Sequence, residues 1–156
     1  LGKLLEAALM GGELVIPDIS IVGTISITRT RFLEGEYFFV VGGPFSNPNA
    51  ELLNPSWISF SRQGSRIVMM VHGNPYFSGR FGREDYVVIA RVEIEGRTYI
   101  LVEGITRYGT AAGVIYLLNN PGLLNELGYM VLYWIDFNGD RRVDLSEIGV
   151  VTYRQA

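Results

Sequence analysis

Hydrophobic and polar positions follow two different periods along this chain, and the changes of period mark its elements. Leu1, Leu4, Leu5, Ala8 and Leu9 recur at helical spacing and Gly11-Gly12 supplies a stop, which predicts a short amphipathic helix. From Ile19 to Thr28 the period becomes two. Ile19, Ile21, Ile25 and Ile27 face one way and Ser20, Thr24, Ser26 and Thr28 the other, the pattern of a half-solvated strand. Tyr37 to Val41 is apolar on both faces and closes on Gly42-Gly43-Pro44, as an interior strand does. Pro44, Asn47-Pro48 and Asn54-Pro55 then punctuate a loop with one helical turn near Ala50 to Leu53.

Further on, Trp57 to Phe60 and Ile67 to Val71 read as strands around a turn at Arg62-Gln63-Gly64-Ser65. His72 to Glu84 is rich in Gly, Pro and Asn and reads as a long surface loop. Tyr86 to Ile94 and Thr98 to Ile105 flank Glu95-Gly96-Arg97 and form the clearest hairpin. Thr110 is expected to cap a helix through Ala111, Ala112, Ile115, Leu117 and Leu118, ended by Asn120-Pro121-Gly122. Leu123 to Leu127 adds a turn, Tyr129 to Ile135 is a strand and Val150 to Tyr153 a last short one. With no internal repeat and no linker, residues 1–156 are expected to form one α/β domain, a β-rich mixed sheet with a few short helices.

Asp136-Phe137-Asn138-Gly139-Asp140-Arg141-Arg142-Val143-Asp144-Leu145-Ser146-Glu147 carries the sharpest chemistry. Oxygen side chains fall at loop positions 1, 3, 5, 9 and 12 (Asp136, Asn138, Asp140, Asp144, Glu147), with the Arg142 carbonyl at 7 and the apolar Val143 at 8. That is the ligand schedule of an EF-hand-type calcium loop, in which a hard cation takes six or seven oxygens from one tight turn. A divalent ion would also relieve the repulsion among four carboxylates. Position 6, which turns with positive φ, is Arg141 rather than glycine, a strain of about 1 kcal/mol. A preceding strand and Gly149 just beyond make the loop an isolated one, similar to those of dockerin-like and other extracellular modules. The expected ion is a structural Ca²⁺ with an affinity of roughly 10⁻⁴–10⁻³ M. Without metal, the same segment would be an acidic turn held by Asx hydrogen bonds and Arg–Asp pairs.

Two strand-to-loop junctions, Gly42 to Asn47 and Gly104 to Thr110, end in small residues, and the second opens into a helix. Exposed amides there, beside Arg107 and Thr110, could hold an anion, although helix-to-sheet packing explains the same residues more simply. His72, the single histidine, lacks any nucleophile motif near it; of the carboxylate pairs Glu84-Asp85 and Glu93/Glu95, of the kind glycosidases use, Glu93 and Glu95 share one face of a hairpin strand opposite Arg97 and read as a solvated face. Trp57, Phe60, Tyr76, Phe77 and Phe81 either line a sugar-stacking groove or, more simply, pack the core and pin loops.

Composition narrows the classes further. With 48% hydrophobic and 19% charged residues the chain can bury a sizeable core and is not a disordered one. The formal charge is −3 and no basic run exceeds Arg141-Arg142, which argues against nucleic acid and anionic membranes as partners. The longest uncharged stretch, Tyr108 to Asn125, is broken by Gly113 and Pro121 and cannot span a bilayer. There is no cysteine, so thiolate metal sites are excluded, and the dominance of Arg over the single Lys suits a thermophile. A start at Leu1, with no Met or basic leader, is expected of a piece excised from a longer protein.

Gly42-Gly43-Pro44 followed by Asn47, then Asp85-Tyr86-Val87-Val88-Ile89, Gly96-Arg97-Thr98 and Gly104-Ile105-Thr106-Arg107-Tyr108-Gly109-Thr110-Ala111-Ala112, resemble the C-terminal-type domain of archaeal surface-layer (S-layer) proteins. These blocks run from about Tyr37 to Asn120. The Arg107-Tyr108-Gly109-Thr110-Ala111 block is also similar to cell-wall-binding repeats of type 2, which implies an anion contact at Arg107 and Thr110. The chain carries no Asn-x-Ser/Thr sequon, in contrast to commonly glycosylated S-layer chains. The resemblance implies a non-enzymatic, extracellular, structural domain of the cell envelope, partnered by copies of itself or other envelope proteins. The alternative is a module binding an anionic wall polymer or nucleotide at the Gly42–Asn47 and Gly104–Thr110 loops; a third is a hydrolase built on His72 or Glu93/Glu95.

Overall fold

The computed structural model describes residues 28–32 and 35–156; the helix expected at Leu1 to Leu9 and all but the last residue of the strand expected from Ile19 to Thr28 lie outside them. Strands β1 (Thr28–Phe32), β2 (Gly35–Val41), β6 (Glu84–Ile94), β7 (Arg97–Gly104), β8 (Leu127–Ile135) and β9 (Ile148–Gln155) form one sheet in the order β1-β2-β7-β6-β8-β9. Every pairing is antiparallel except β2 with β7, which run parallel. Strands β3 (Ile58–Gln63), β4 (Arg66–Val71) and β5 (Asn74–Phe77) make a second, antiparallel sheet. Among the described residues three α-helices accompany the sheets: α1 (Pro48–Leu53), α2 (Arg107–Asn119) and α3 (Leu123–Glu126). This is the β-rich mixed α/β architecture that the periodicities predict.

Three layers explain why the central strands are apolar on both faces. Alternate residues of the large sheet, among them Phe39, Val41, Val87, Ile89, Ile100, Val102, Met130 and Trp134, pack beneath α2 through Ala112, Val114 and Leu117. The intervening residues, Val40, Val88, Ala90, Tyr99, Leu101 and Val131, meet Ile58, Met69 and Val71 of the small sheet and Ala50 of α1. Each strand residue therefore has a core to enter, whichever way it points.

Three local expectations need correction. First, His72 to Glu84 is not all loop, since Asn74–Phe77 is strand β5. His72 (φ 49°) and Gly73 (φ 79°) form a two-residue turn with both central residues left-handed, which suits the twist of a hairpin. Pro75 is accommodated because β5 is an edge strand. Second, α2 starts at Arg107 with Thr106, not Thr110, as its N-cap: the Thr106 side chain accepts from Tyr108 N. Third, Glu95 does not share a strand face with Glu93 opposite Arg97; it occupies the β6–β7 turn at φ 51°, and Arg97 pairs with Ile94.

Candidate metal centre

The loop 136–147 joins β8 to β9 and is framed by its own side chains. Asp136, at position 1, is buried; its Oδ1 accepts from Gly139 N (2.9 Å) and its Oδ2 from Arg141 N (3.2 Å). Asn138 Oδ1 accepts from Asp140 N (2.9 Å), and Asp140 Oδ1 accepts from Arg142 N (2.8 Å). These are successive Asx turns, each presenting a side-chain oxygen towards the inside of the bend. Asn138 Nδ2 also donates to Asp144 Oδ2 (3.3 Å), linking positions 3 and 9. Arg141 has φ 59°, so position 6 takes the left-handed conformation the spacing calls for without having glycine's freedom. Val143 packs against the core beneath α2 and anchors the far side of the turn.

Glu147, at position 12, lies in the three-residue 3₁₀ turn Leu145–Glu147 and is buried. Its Oε1 accepts from Phe137 N (2.9 Å) and its Oε2 from the Trp134 indole Nε1 (3.1 Å). A bidentate acid thus already closes the loop from entry to exit. Arg83 contributes the one element that spacing within the loop does not contain. Its guanidinium donates to Asp136 Oδ2 at 2.6 Å, and its carbonyl accepts from Asp136 N at 2.8 Å. The positions and donor chemistry fit a hard oxygen-seeking cation: Asp136 Oδ1, Asn138 Oδ1 and Asp140 Oδ1 each accept from one backbone amide, and a carbonyl-type or carboxylate oxygen has a second lone pair. Among the described residues, however, no three His, Asp or Glu side chains are gathered into one cluster, and Asp140 and Asp144 are exposed.

The two glycine-ended junctions come together because β2 and β7 are parallel neighbours, so that their C-terminal ends lie side by side. An added Cβ on Gly43 would stand 2.8 Å from Gly104 O. Asn47 caps α1, accepting from Asn49 N and donating to Val41 O. At the second junction the amides are already taken. Buried Asp85 accepts from Tyr86 N (2.9 Å) at Oδ1, and at Oδ2 from Thr106 N (3.0 Å), Gly109 N (2.7 Å) and the Thr106 hydroxyl. Burial raises the Asp85 pKa, while these donors, led by the Thr106 hydroxyl, pull it the other way. Thr110 Oγ1 accepts from Gly104 N (3.1 Å) and donates to Thr106 O.

Arg107 is exposed and its guanidinium lies over the rings of Phe81 (5.5 Å) and Tyr108 (5.0 Å). Tyr108 in turn stacks on Trp134 at 5.2 Å and 4°, so the helix start and the acidic loop share one aromatic column. Phe77 and Phe81 are 40% and 62% exposed and line an open groove of about 800 Å³ together with Arg66, Arg80 and Thr106. Trp57, Phe60 and Tyr76 pack instead against the core between the sheets. His72 stacks on Trp57 (4.3 Å) and beside Tyr129 (4.6 Å), and Glu93 pairs with Arg91 at the surface. Arg83 and Trp134 are the site residues that spacing did not single out, and each acts across more than ten residues of chain; Asp85, named there only in a carboxylate pair and a strand block, is the acceptor at the helix start.

Comparison with protein-family models, with curated protein sequences and with solved structures finds no match to this chain. Among the described residues no helix is long and apolar enough to cross a membrane.

Proposed function

We propose that this chain is a non-enzymatic structural domain of an extracellular, S-layer-type envelope protein, with one Ca²⁺ pinning the β8–β9 turn. The ligands would be Asp136, Asn138, Asp140, the Arg142 carbonyl, Asp144 and Glu147. One observation carries the reading: the backbone of 136–147 is already bent around the side-chain oxygens of positions 1, 3 and 5, with position 6 left-handed. A bound cation would supply charge neutralisation and cross-linking, nothing reactive. The blocks shared with S-layer chains support the structural role, because Asn47, Thr106, Tyr108 and Thr110 are all engaged in caps and packing. The partners would be further copies of the chain or other envelope proteins.

The test separates ligation from turn geometry. Asp140→Asn with Asp144→Asn keeps an acceptor for Arg142 N at position 140 but removes two charges. At about 10 mM Ca²⁺, an affinity of roughly 10⁻⁴–10⁻³ M stabilises the wild type by about 1.4–2.7 kcal/mol. The double variant should lose that gain while melting with the wild type in EDTA. A flat calorimetric titration of CaCl₂ into the stripped wild-type protein would reduce the segment to an acidic turn.

A second reading, binding of an anionic wall polymer, is favoured by the groove rather than by the helix amides, which Asp85 occupies. Arg66 and Arg80 line it without an ion pair to any described residue, next to two exposed phenylalanine faces suited to a sugar ring. An acidic polysaccharide should bind in a salt-sensitive manner and lose at least tenfold in affinity in Arg66→Ala/Arg80→Ala, the order of one or two charge-assisted contacts. Equal binding by that variant would remove this reading.

A further inference from the structure

Glu103 lies near the end of the interior strand β7 and is fully buried, on the face turned towards the small sheet. Its polar contact is Asn54, the C-cap of α1, whose Nδ2 donates to Glu103 Oε2 at 3.1 Å. The other oxygen of each group, Glu103 Oε1 and Asn54 Oδ1, is buried without a hydrogen-bond partner among the described residues. Two orphaned acceptors on two residues already in contact are costly, since a buried polar atom left unpaired forfeits its hydration for nothing. One proton removes both defects, because a carboxylic acid is a donor as well as an acceptor.

We infer that Glu103 is carried as a neutral carboxylic acid whose Oε1–H donates to Asn54 Oδ1, closing a two-bond acid–amide ring that latches the end of α1 onto β7. The latch is specific to the protonated state: loss of the proton to solvent leaves a buried anion facing the Asn54 carbonyl-type oxygen. Among the described residues, the titratable and charged groups on α1 and on β3 to β7 are Glu51 of α1, Arg62 of β3, Arg66 of β4, Tyr76 of β5, Glu84, Asp85, Tyr86, Arg91 and Glu93 of β6, and Arg97 and Tyr99 of β7. None of them hydrogen-bonds or ion-pairs with Glu103. With no cation among the described residues to hold its charge, burial pushes the carboxyl from the ordinary 4.5 up to about 8, against a smaller downward pull from Asn54.

The sign of the pH effect follows from proton counting. Below the ordinary carboxyl range both folded and unfolded chains hold the proton and Glu103 contributes no slope. Between that range and about pH 8 only the folded chain holds it, so rising pH favours unfolding; above pH 8 the slope vanishes. Glu103→Gln mimics the neutral ring at every pH, its amide donating where the acid does. The folding equilibrium constant of the wild type relative to E103Q should therefore fall about tenfold per pH unit across that interval. The wild-type infrared spectrum at neutral pH should also carry a protonated-carboxyl C=O band that E103Q lacks. Parallel pH profiles for the two proteins would overturn the latch, as would the absence of that band from the wild type, which needs no variant to fold.

Discussion

Gly104→Ala is expected to cost more than about 4 kcal/mol, the range reserved for changes the backbone cannot absorb. A Cβ at this position would overlap Thr110 N and stand 2.6 Å from both Gly109 C and Thr106 O. All three are main-chain atoms of the turn that starts α2, so no rotamer change makes room. The same carbonyl edge already abuts Gly43 across the parallel pair, which closes the other route of relief. The measurement is chemical denaturation followed by the near-UV signal of Trp134, which stacks on Tyr108 just after the turn. Gly122→Ala serves as the control, having nothing within 4 Å of its added Cβ and a helical φ of −62°. A Gly104→Ala protein as stable as that control would show that α2 can lift from β7 at little cost, contrary to the packing.

Asp85→Ala should be the second most damaging substitution, at about 3–5 kcal/mol, or roughly 10–15 °C in Tm for a chain of this size. One carboxylate there satisfies three backbone amides and a hydroxyl that belong to β6, the β7–α2 turn and the first turn of α2. Removing it leaves buried donors with no alternative acceptor, and the loss is dominated by their desolvation rather than by charge. Asp85→Asn should therefore recover part of the stability, because one oxygen remains to serve the Oδ2 cluster. Thermal unfolding of the three proteins decides the matter: a loss below about 1 kcal/mol for the alanine variant would mean that water replaces the carboxylate.

These two positions give the Gly104–Thr110 block a structural meaning. Gly104 lets the helix approach, Asp85 and Thr106 hold its first turn, Thr110 ties it back to the strand, and Tyr108 carries the contact on to Trp134 and hence to Glu147. The acidic loop and the helix start are thus supported by one column of side chains. Calcium binding at the loop, if it orders Glu147, would be felt first along that column.

Local pattern alone was sufficient for most strands, because the physics that selects them is local. Tyr37 to Val41 and Tyr86 to Ala90 are apolar at consecutive positions, and only a strand with a core on each side buries both sets. The turn at Glu95-Gly96 and the bend around Asp136, Asn138 and Asp140 were equally legible, since Asx turns and left-handed glycines act within a few residues. Strand β5 was not: Pro75 speaks against a strand, and only its place at the edge of a sheet, a tertiary fact, makes the proline harmless. The cap of α2 fell to Thr106 rather than Thr110 because Asp85, twenty-one residues earlier, fixes the Thr106 amide and hydroxyl.

The sequence by itself therefore determined the β-rich mixed class, the β3–β4 and β6–β7 hairpins and the oxygen schedule of the 136–147 loop, all properties of neighbours along the chain. The tertiary structure alone decided that Arg83 would sit on Asp136, that Trp134 would hold Glu147, that Asp85 would fill the helix start, and that Glu103 would face Asn54 in a buried pair. Those contacts join residues 13 to 53 positions apart, and no periodicity encodes them. They arise because folding removes water, after which every buried charge or amide must be answered by whatever group the packing brings beside it.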